Sequence, residues 1–339
     1  MRNLLVAQSG GPTSAINATI AGVIMEAHAS DQVDTIYGAV NGIKGVLEER
    51  FVNLSEKVPG EDELEILCQT PAAALGSCRV KLKNPAEDDS QFQEVIRIFR
   101  KHEIMYFIYA GGNDSMDTVD KLAAYCKEHK IEDIHVMGAP KTIDNDLVGT
   151  DHCPGFGSAA KYIATTFSEL ERDCHVYDTK AVTIVEVMGR NAGYLALWCG
   201  IASGAEDILL PERYDGNEQM LINRIIDNRK RGKRHHIIIN AEGIGHSASM
   251  AKRIEAATGI ETRATILGYM QRGGAPTCKD RVYASIMGAK AVELLEEGKT
   301  NRVVAYKHGE FLDFDIQEAL NMKKDIPEDQ YEISKLLIR

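Results

Sequence analysis

The chain has 339 residues, 44% of them hydrophobic and 26% charged, with 39 Lys and Arg against 50 Asp and Glu and a formal net charge of −11. Length and composition exclude wholesale disorder, collagen and a small disulfide scaffold, and leave room for one large α/β unit or two domains with a sizeable core. The negative balance argues against a basic footprint for nucleic acid or an anionic membrane, although a few arginines in one cleft can still draw phosphate.

In chain order, the apolar run Leu4–Ala7 is too short for a secretory signal and predicts a strand leading into Ser9-Gly10-Gly11, with a helix to about Ala29. Tyr106–Tyr109 predicts a strand that enters Gly111-Gly112-Asn113-Asp114-Ser115 and then a helix. Ile134–Met137 leads into Ala139-Pro140-Lys141-Thr142-Ile143-Asp144-Asn145-Asp146, and Val182–Val187 into Met188-Gly189-Arg190. Ile237–Asn240 leads into Ala241-Glu242-Gly243, and Thr265–Tyr269, expected as a strand preceded by Arg263, into Met270-Gln271-Arg272-Gly273-Gly274. No usable motif follows Asn301, and Ile326–Asp329 reads as a loop. Near-continuous apolar strands alternating with helices predict parallel sheets covered on both faces. Ligands of such sheets bind beyond the carboxyl ends of the strands, where all of these polar clusters fall.

The seven cysteines include no C-x-x-C pair, which points to reduced thiols, not a disulfide framework or zinc site. No apolar run reaches membrane-spanning length, so a soluble, cytoplasmic protein is expected. Gly10-Gly11 and Gly111-Gly112 are either phosphate cradles at helix N-termini or tight βα turns. Lys141–Asp146 is the most unusual segment. Two carboxylates two residues apart can serve as general base and metal or orientation partner, and an Asx-rich turn is the alternative. Arg190, Arg263 and Arg272 suggest a phosphorylated substrate, because arginine keeps its charge and grips phosphate bidentately. Glu242 can accept sugar hydroxyls. Trp198 and the methionines are expected in the core, and His235-His236 at a solvated strand entrance. A Walker A motif, a complete G-x-G-x-x-G and protein-kinase signatures are absent, which disfavours a dinucleotide oxidoreductase.

The ordered set Ser9-Gly10-Gly11, Gly76-Ser77-Cys78-Arg79, Gly111–Ser115, Pro140–Asp146, Gly155-Phe156-Gly157-Ser158-Ala159, Met188-Gly189-Arg190, Pro211-Glu212, Ala241-Glu242-Gly243, Glu261-Thr262-Arg263 and Gln271–Gly274 resembles the 6-phosphofructokinase family over about residues 3–290. The resemblance implies two Rossmann-like α/β/α domains with mostly parallel sheets and the active site in the cleft between them. The donor domain would be 1–156 plus about 273–320, and the sugar-phosphate domain 157–272 plus about 321–339. It further implies Asp144 as general base towards the 1-hydroxyl of fructose 6-phosphate, with Thr142 and Arg190 assisting. The phosphoryl donor would be held by Gly11, Arg79, Asn113, Asp114, Ser115 and Lys141. The sugar would be held by Thr142, Asp144, Asp146, Met188, Gly189, Arg190, Glu242, Arg263, Tyr269 and Arg272. Mg²⁺ would sit on Asn113, Asp114 or Asp146.

Members that use ATP carry glycine where this chain has Asp114 and Lys141, whereas pyrophosphate users carry Asp and Lys. The resemblance therefore implies pyrophosphate as donor, a reversible reaction serving glycolysis or gluconeogenesis, and a homodimer or homotetramer. The chain departs from the family pattern at several places. Asn113 replaces an acidic residue, and Tyr269 a sugar-phosphate-binding His. Lys180-Ala181 stands where an Arg reaches the neighbouring subunit. Ala21 and Met25 replace the arginines of a nucleotide-effector site, although Arg231 and Lys233 are retained; insensitivity to ADP follows. The rivals are an ATP-dependent member of the family and a non-catalytic, sugar-phosphate-binding regulatory subunit.

Overall fold

A computed structural model describes residues 2–176 and 181–337, and Lys180 falls outside them. In chain order the elements are β1 (Asn3–Gln8), α1 (Ile16–Ala29), β2 (Thr35–Ala39), α2 (Gly42–Leu47), β3 (Phe51–Asn53), α3 (Leu54–Lys57), α4 (Glu61–Gln69), α5 (Ser90–Lys101), β4 (Ile104–Gly111), α6 (Asn113–Glu128), β5 (His135–Pro140) and α7 (Phe156–His175). There follow β6 (Ala181–Val187), α8 (Tyr194–Ser203), β7 (Asp207–Leu209), α9 (Glu218–Lys230), β8 (His235–Ala241), α10 (Ser247–Thr258), β9 (Glu261–Ile266), a 3₁₀ turn (Gly268–Arg272), α11 (Cys278–Glu296), β10 (Arg302–Lys307), β11 (Glu310–Asp315), α12 (Ile316–Asn321) and α13 (Glu328–Leu337).

The chain divides into two compact units. Unit 1 takes Met1–Thr142, Leu147–Ser158 and Ala275–Lys324; unit 2 takes Ile143–Asp146, Ala159–Gly274 and Asp325–Arg339. Unit 1 holds a seven-stranded sheet in the order β11-β10-β5-β4-β1-β2-β3. Its five middle strands run parallel, and the antiparallel pairs β10–β11 and β2–β3 close the edges. Both faces of the sheet are covered: Leu5, Ala7, Phe107 and Tyr109 enter one core, and Leu4, Val6, Tyr106 and Ile108 the other. That is why β1 from Leu4 to Ala7 and β4 are continuously apolar instead of alternating. On one face α5 presents Phe92, Val95, Ile96 and Phe99, the spacing of a single helical stripe. On the other, α1 and α11 approach so closely that a Cβ on Gly288 would lie 2.1 Å from the carbonyl oxygen of Thr19, and one on Gly22 2.0 Å from that of Ser285.

Unit 2 holds a four-stranded, wholly parallel sheet in the order β7-β8-β6-β9. Val182, Ile184 and Ile238 pack on Leu221 and Ile225 of α9 and Met250 and Ile254 of α10. The helix α13 packs beside α8: Trp198 Nε1 donates to Gln330 Oε1 at 2.9 Å, and the Arg213 guanidinium lies 4.9 Å from the Tyr331 ring centre while also pairing with Glu328.

Several expectations from the sequence need correction. Strand β9 spans Glu261–Ile266, so Arg263 lies inside it, and Gly268–Arg272 is a 3₁₀ turn. The stretch after Asn301 supplies two strands and two helices, and Glu328-Asp329 open α13 instead of extending a loop. Trp198 is 40% exposed, and Met25, Met220 and Met270 are exposed too, whereas Met116, Met137, Met250 and Met287 do fill cores. His236 is buried, with Nε2 2.7 Å from Asp207 Oδ2, so the start of β8 is not a solvated entrance. Among the described residues no helix is long and apolar enough to cross a membrane.

Candidate active site

In unit 1 the glycine pairs differ. Gly112 caps α6 directly, whereas residues 12–15 separate Gly11 from α1, so only the second pair meets a helix N-terminus. Gly10 adopts φ +77°, and a Cβ there would lie 2.9 Å from the Lys141 ammonium. The left-handed conformation is what favours glycine here, with the cation beside it. Lys141 is only 3% exposed, and its N–H donates to Gly111 O at 3.0 Å, tying the end of β5 to the end of β4. A buried ammonium is costly, and its surroundings must offset that cost. Ser115 stands over the second glycine pair: a Cβ on Gly111 would lie 1.8 Å from Ser115 Oγ.

The Arg79 loop is pinned to the Gly10 turn. Gly10 N donates to Cys78 O at 3.2 Å, and Ser77 Oγ donates to Gly10 O at 2.5 Å. Beneath it the Tyr109 hydroxyl accepts from Ile43 N at 3.2 Å, with Cys78 Sγ 3.9 Å away. Burial, helped by the Cys78 thiol, pushes the phenol upward, so it stays neutral at ordinary pH. Asp114, in the first turn of α6, pairs with Lys81 at 2.7 Å. Sequence reasoning passed over Lys81; its signal is its place two residues after Arg79, which carries it with the same loop.

The Lys141–Asp146 segment leaves regular structure after β5, with Thr142 bridging Gly155 in parallel. Thr142, Asp144 and Asn145 are all buried, and Asn145 takes φ +53°. A solvated turn needs neither feature. Burying several polar groups outside regular structure is expensive and concentrates at functional sites. Lys141 and Thr142 group with unit 1, and Ile143–Asp146 with unit 2.

In unit 2, Arg190 Nε stands 3.7 Å from Asp144 Oδ2. Arg190 lies on the turn after β6, where it takes φ +53° and Gly189 takes φ +136°. Glu242 follows β8, and its Oε1 accepts from Gly189 N at 3.1 Å and Arg190 N at 2.7 Å. That use, as an anchor of the arginine turn, was not foreseen from the sequence. The Arg272 guanidinium lies 4.5 Å from the Tyr269 ring centre, a cation–π contact that pairs two of the sequence-derived candidates. Arg263 sits on the edge strand β9 and pairs with Glu261. Among the described residues no group of three or more His, Cys, Asp or Glu side chains is arranged around a metal position.

The profile of the family described as Phosphofructokinase matches residues 3–295. The chain belongs to the phosphofructokinase family. An ATP-dependent 6-phosphofructokinase of Clostridium acetobutylicum is 36% identical over 338 residues, 99% of each chain, and one of Brevibacillus brevis is 36% identical over 337 residues, again 99% of each. Among solved structures, a pyrophosphate-dependent phosphofructokinase from Marinobacter aquaeolei superposes with TM-score 0.87 at 32% identity, covering 100% of this chain and 92% of that one. One from Nitrosospira multiformis gives 0.85 at 29%, covering 99% and 91%. Family membership makes the chain a phosphotransferase of the phosphofructokinase type. Relatives naming either donor stand at similar distance, so overall identity does not separate ATP from pyrophosphate.

Proposed function

We propose that this phosphofructokinase uses pyrophosphate, transferring phosphoryl reversibly to the 1-hydroxyl of fructose 6-phosphate to give fructose 1,6-bisphosphate and phosphate. The observation that carries the donor is the buried Lys141 ammonium against Gly10, beside an α6 N-terminus that opens with Asp114 paired to Lys81. A lysine at that turn matches the small, dense charge of pyrophosphate. A carboxylate in the first turn of α6 takes space and opposes the additional phosphate and nucleoside of ATP. Arg79, Asn113, Ser115 and the Gly11 backbone complete the donor set.

On the acceptor side Asp144 takes the proton of the 1-hydroxyl as its oxygen attacks the near phosphorus and the bridging P–O bond breaks, releasing phosphate. Arg190, beside the carboxylate, meets charge as it spreads over the moving group. Thr142 and Asp146 orient the reacting groups. Met188, Gly189, Arg190, Glu242, Arg263, Tyr269 and Arg272 hold the sugar phosphate. The absence of a preformed acidic cage among the described residues fits Mg²⁺, which keeps waters and binds through one or two carboxylates plus substrate phosphate. Asp114 or Asp146, with Asn113, would hold it, and when bound it neutralises charge on the donor. A cytoplasmic homodimer or homotetramer completes the reading.

The test is initial rates with fructose 6-phosphate and Mg²⁺, supplying pyrophosphate or ATP. Pyrophosphate is expected to exceed ATP by about 10²-fold or more in kcat/KM, and Asp114→Gly with Lys141→Gly to shift the ratio towards ATP. ATP as donor is the second reading, favoured by the names of the 36%-identical relatives. A higher rate with ATP establishes it. Sugar phosphate binding without turnover on either donor would instead indicate a regulatory subunit.

A further inference from the structure

Three consecutive backbone N–H groups at the mouth of β6 are all taken by side chains from other strands' ends. Met188 N donates to Gln271 Oε1 at 3.1 Å, and Gly189 N and Arg190 N donate to Glu242 Oε1. Successive N–H groups of this kind form a concavity that attracts anions. Here the protein fills it with its own oxygens, so the turn meets an anion through the Arg190 side chain and not through these three N–H groups. Gln271 is 1% exposed and uses both ends of its amide: Nε2 donates to Gly268 O at 2.9 Å. One buried side chain therefore ties the turn that carries Arg190 to the 3₁₀ turn that carries Tyr269 and Arg272.

The surroundings leave that turn little freedom. Glu242 N donates to Val187 O at 2.8 Å, and Leu267 N to Glu186 O at 3.2 Å. A Cβ on Gly243 would lie 2.3 Å from Arg190 O. Arginine in the left-handed region is disfavoured and persists only where its neighbours over-determine it. Release of one tether is expected to let the turn relax and to move the guanidinium away from Asp144.

We propose that Gln271 is a positioning residue for sugar-phosphate recognition, fixing Arg190 and Arg272 relative to one another without touching substrate. The role assigned to the two arginines rests on the function proposed above; the tether itself does not. Loss of the tether is expected to act on the sugar side of the reaction alone, because every partner of Gln271 named here belongs to unit 2.

The test compares full-length wild type with Gln271→Leu, which has similar bulk and no polar group, and Gln271→Asn, which keeps the amide but is too short to span both partners. Gln271→Leu is expected to raise KM for fructose 6-phosphate by about 10- to 100-fold while KM for the phosphoryl donor stays within about twofold. Gln271→Asn is expected to fall between the two, and it carries the test if Gln271→Leu does not fold. Amide hydrogen exchange over residues 188–193 is measured on the same proteins and should quicken in both variants. Unchanged exchange overturns the tether. Faster exchange with an unchanged sugar KM, or with sugar and donor KM rising together, overturns the positioning role. If wild type turns over neither donor, the proposed function has failed, and calorimetric binding of fructose 6-phosphate with the exchange data decides on Gln271.

Discussion

Asp144 and Asp280 are both buried aspartates, yet they have opposite surroundings. Asp144 lies outside regular structure with Arg190 3.7 Å away. As a general base it should lose about 10²- to 10⁴-fold in kcat on Asp144→Asn while fructose 6-phosphate still binds; equal losses in turnover and calorimetric affinity would make it a ligand only. Asp280 is closed in. Its Oδ1 is 2.6 Å from His152 Nε2, and its Oδ2 accepts from Ser158 N at 2.6 Å and Ser158 Oγ at 2.5 Å. Burial alone would raise this carboxyl, but the bonds from His152 and Ser158 outweigh it and hold it below its usual value. A depressed folded-state pKa contributes stability that is complete above the unfolded value of about 3.9 and lost as pH falls through the folded value. Asp280→Ala should cost about 3–5 kcal/mol by denaturant unfolding at neutral pH, with the deficit shrinking as the medium is acidified below pH ~4. Residue type and order singled out Asp144 and Lys141 in the sequence. Lys81 and Gln271 were not legible as site residues, because their meaning depends on partners distant in the chain, Asp114 and Met188.

At the scale of elements, polarity misled wherever an element lies at an edge. In β9 only Thr262 is buried, while Glu261, Arg263 and Ile266 are exposed, so the true strand looked like a polar approach to the apolar Leu267 that follows it. Leu267 instead donates to Glu186 O and starts the 3₁₀ turn. The β10–β11 hairpin and α13 contain neither a glycine pair nor a counterpart of the Lys141–Asp146 segment and so offered no motif to read. The buried strands were legible because a sheet covered on both faces leaves almost no polar position. The contact of α1 with α11 is equally invisible in a sequence, since it depends on glycines meeting backbone. Gly288→Ala would press a methyl onto Thr19 O and should cost about 1–3 kcal/mol, or more if the helices cannot separate, read from the midpoint of urea unfolding at constant m.

For the whole molecule, α/β class and strand-end clusters followed from periodicity and glycine placement, whereas a division of the chain into two units was read only from the family resemblance. Regulation belongs to this scale as well. On α1 the positions expected to bind a nucleotide effector hold Ala21, buried, and Met25, 51% exposed, neither of which can pair with phosphate. Adding ADP should therefore leave the fructose 6-phosphate saturation curve unmoved, and a shift in half-saturation or sigmoidicity would refute this.

The interleaving of the units governs the order in which the molecule can be completed during synthesis. Strand β1 is made first, yet its sheet gains β10 and β11 only at residues 302–315, and α1 waits for α11 at residues 278–296. Unit 2 in turn lacks α13 until residues 328–337 have been added. Neither unit can close on a growing chain before these last segments have been added, and the side of α1 that meets α11 stays uncovered until residues 278–296 are made. Arrest of synthesis before α11 should leave a nascent chain that is protease-sensitive and dependent on chaperones throughout, with no independently folded first domain.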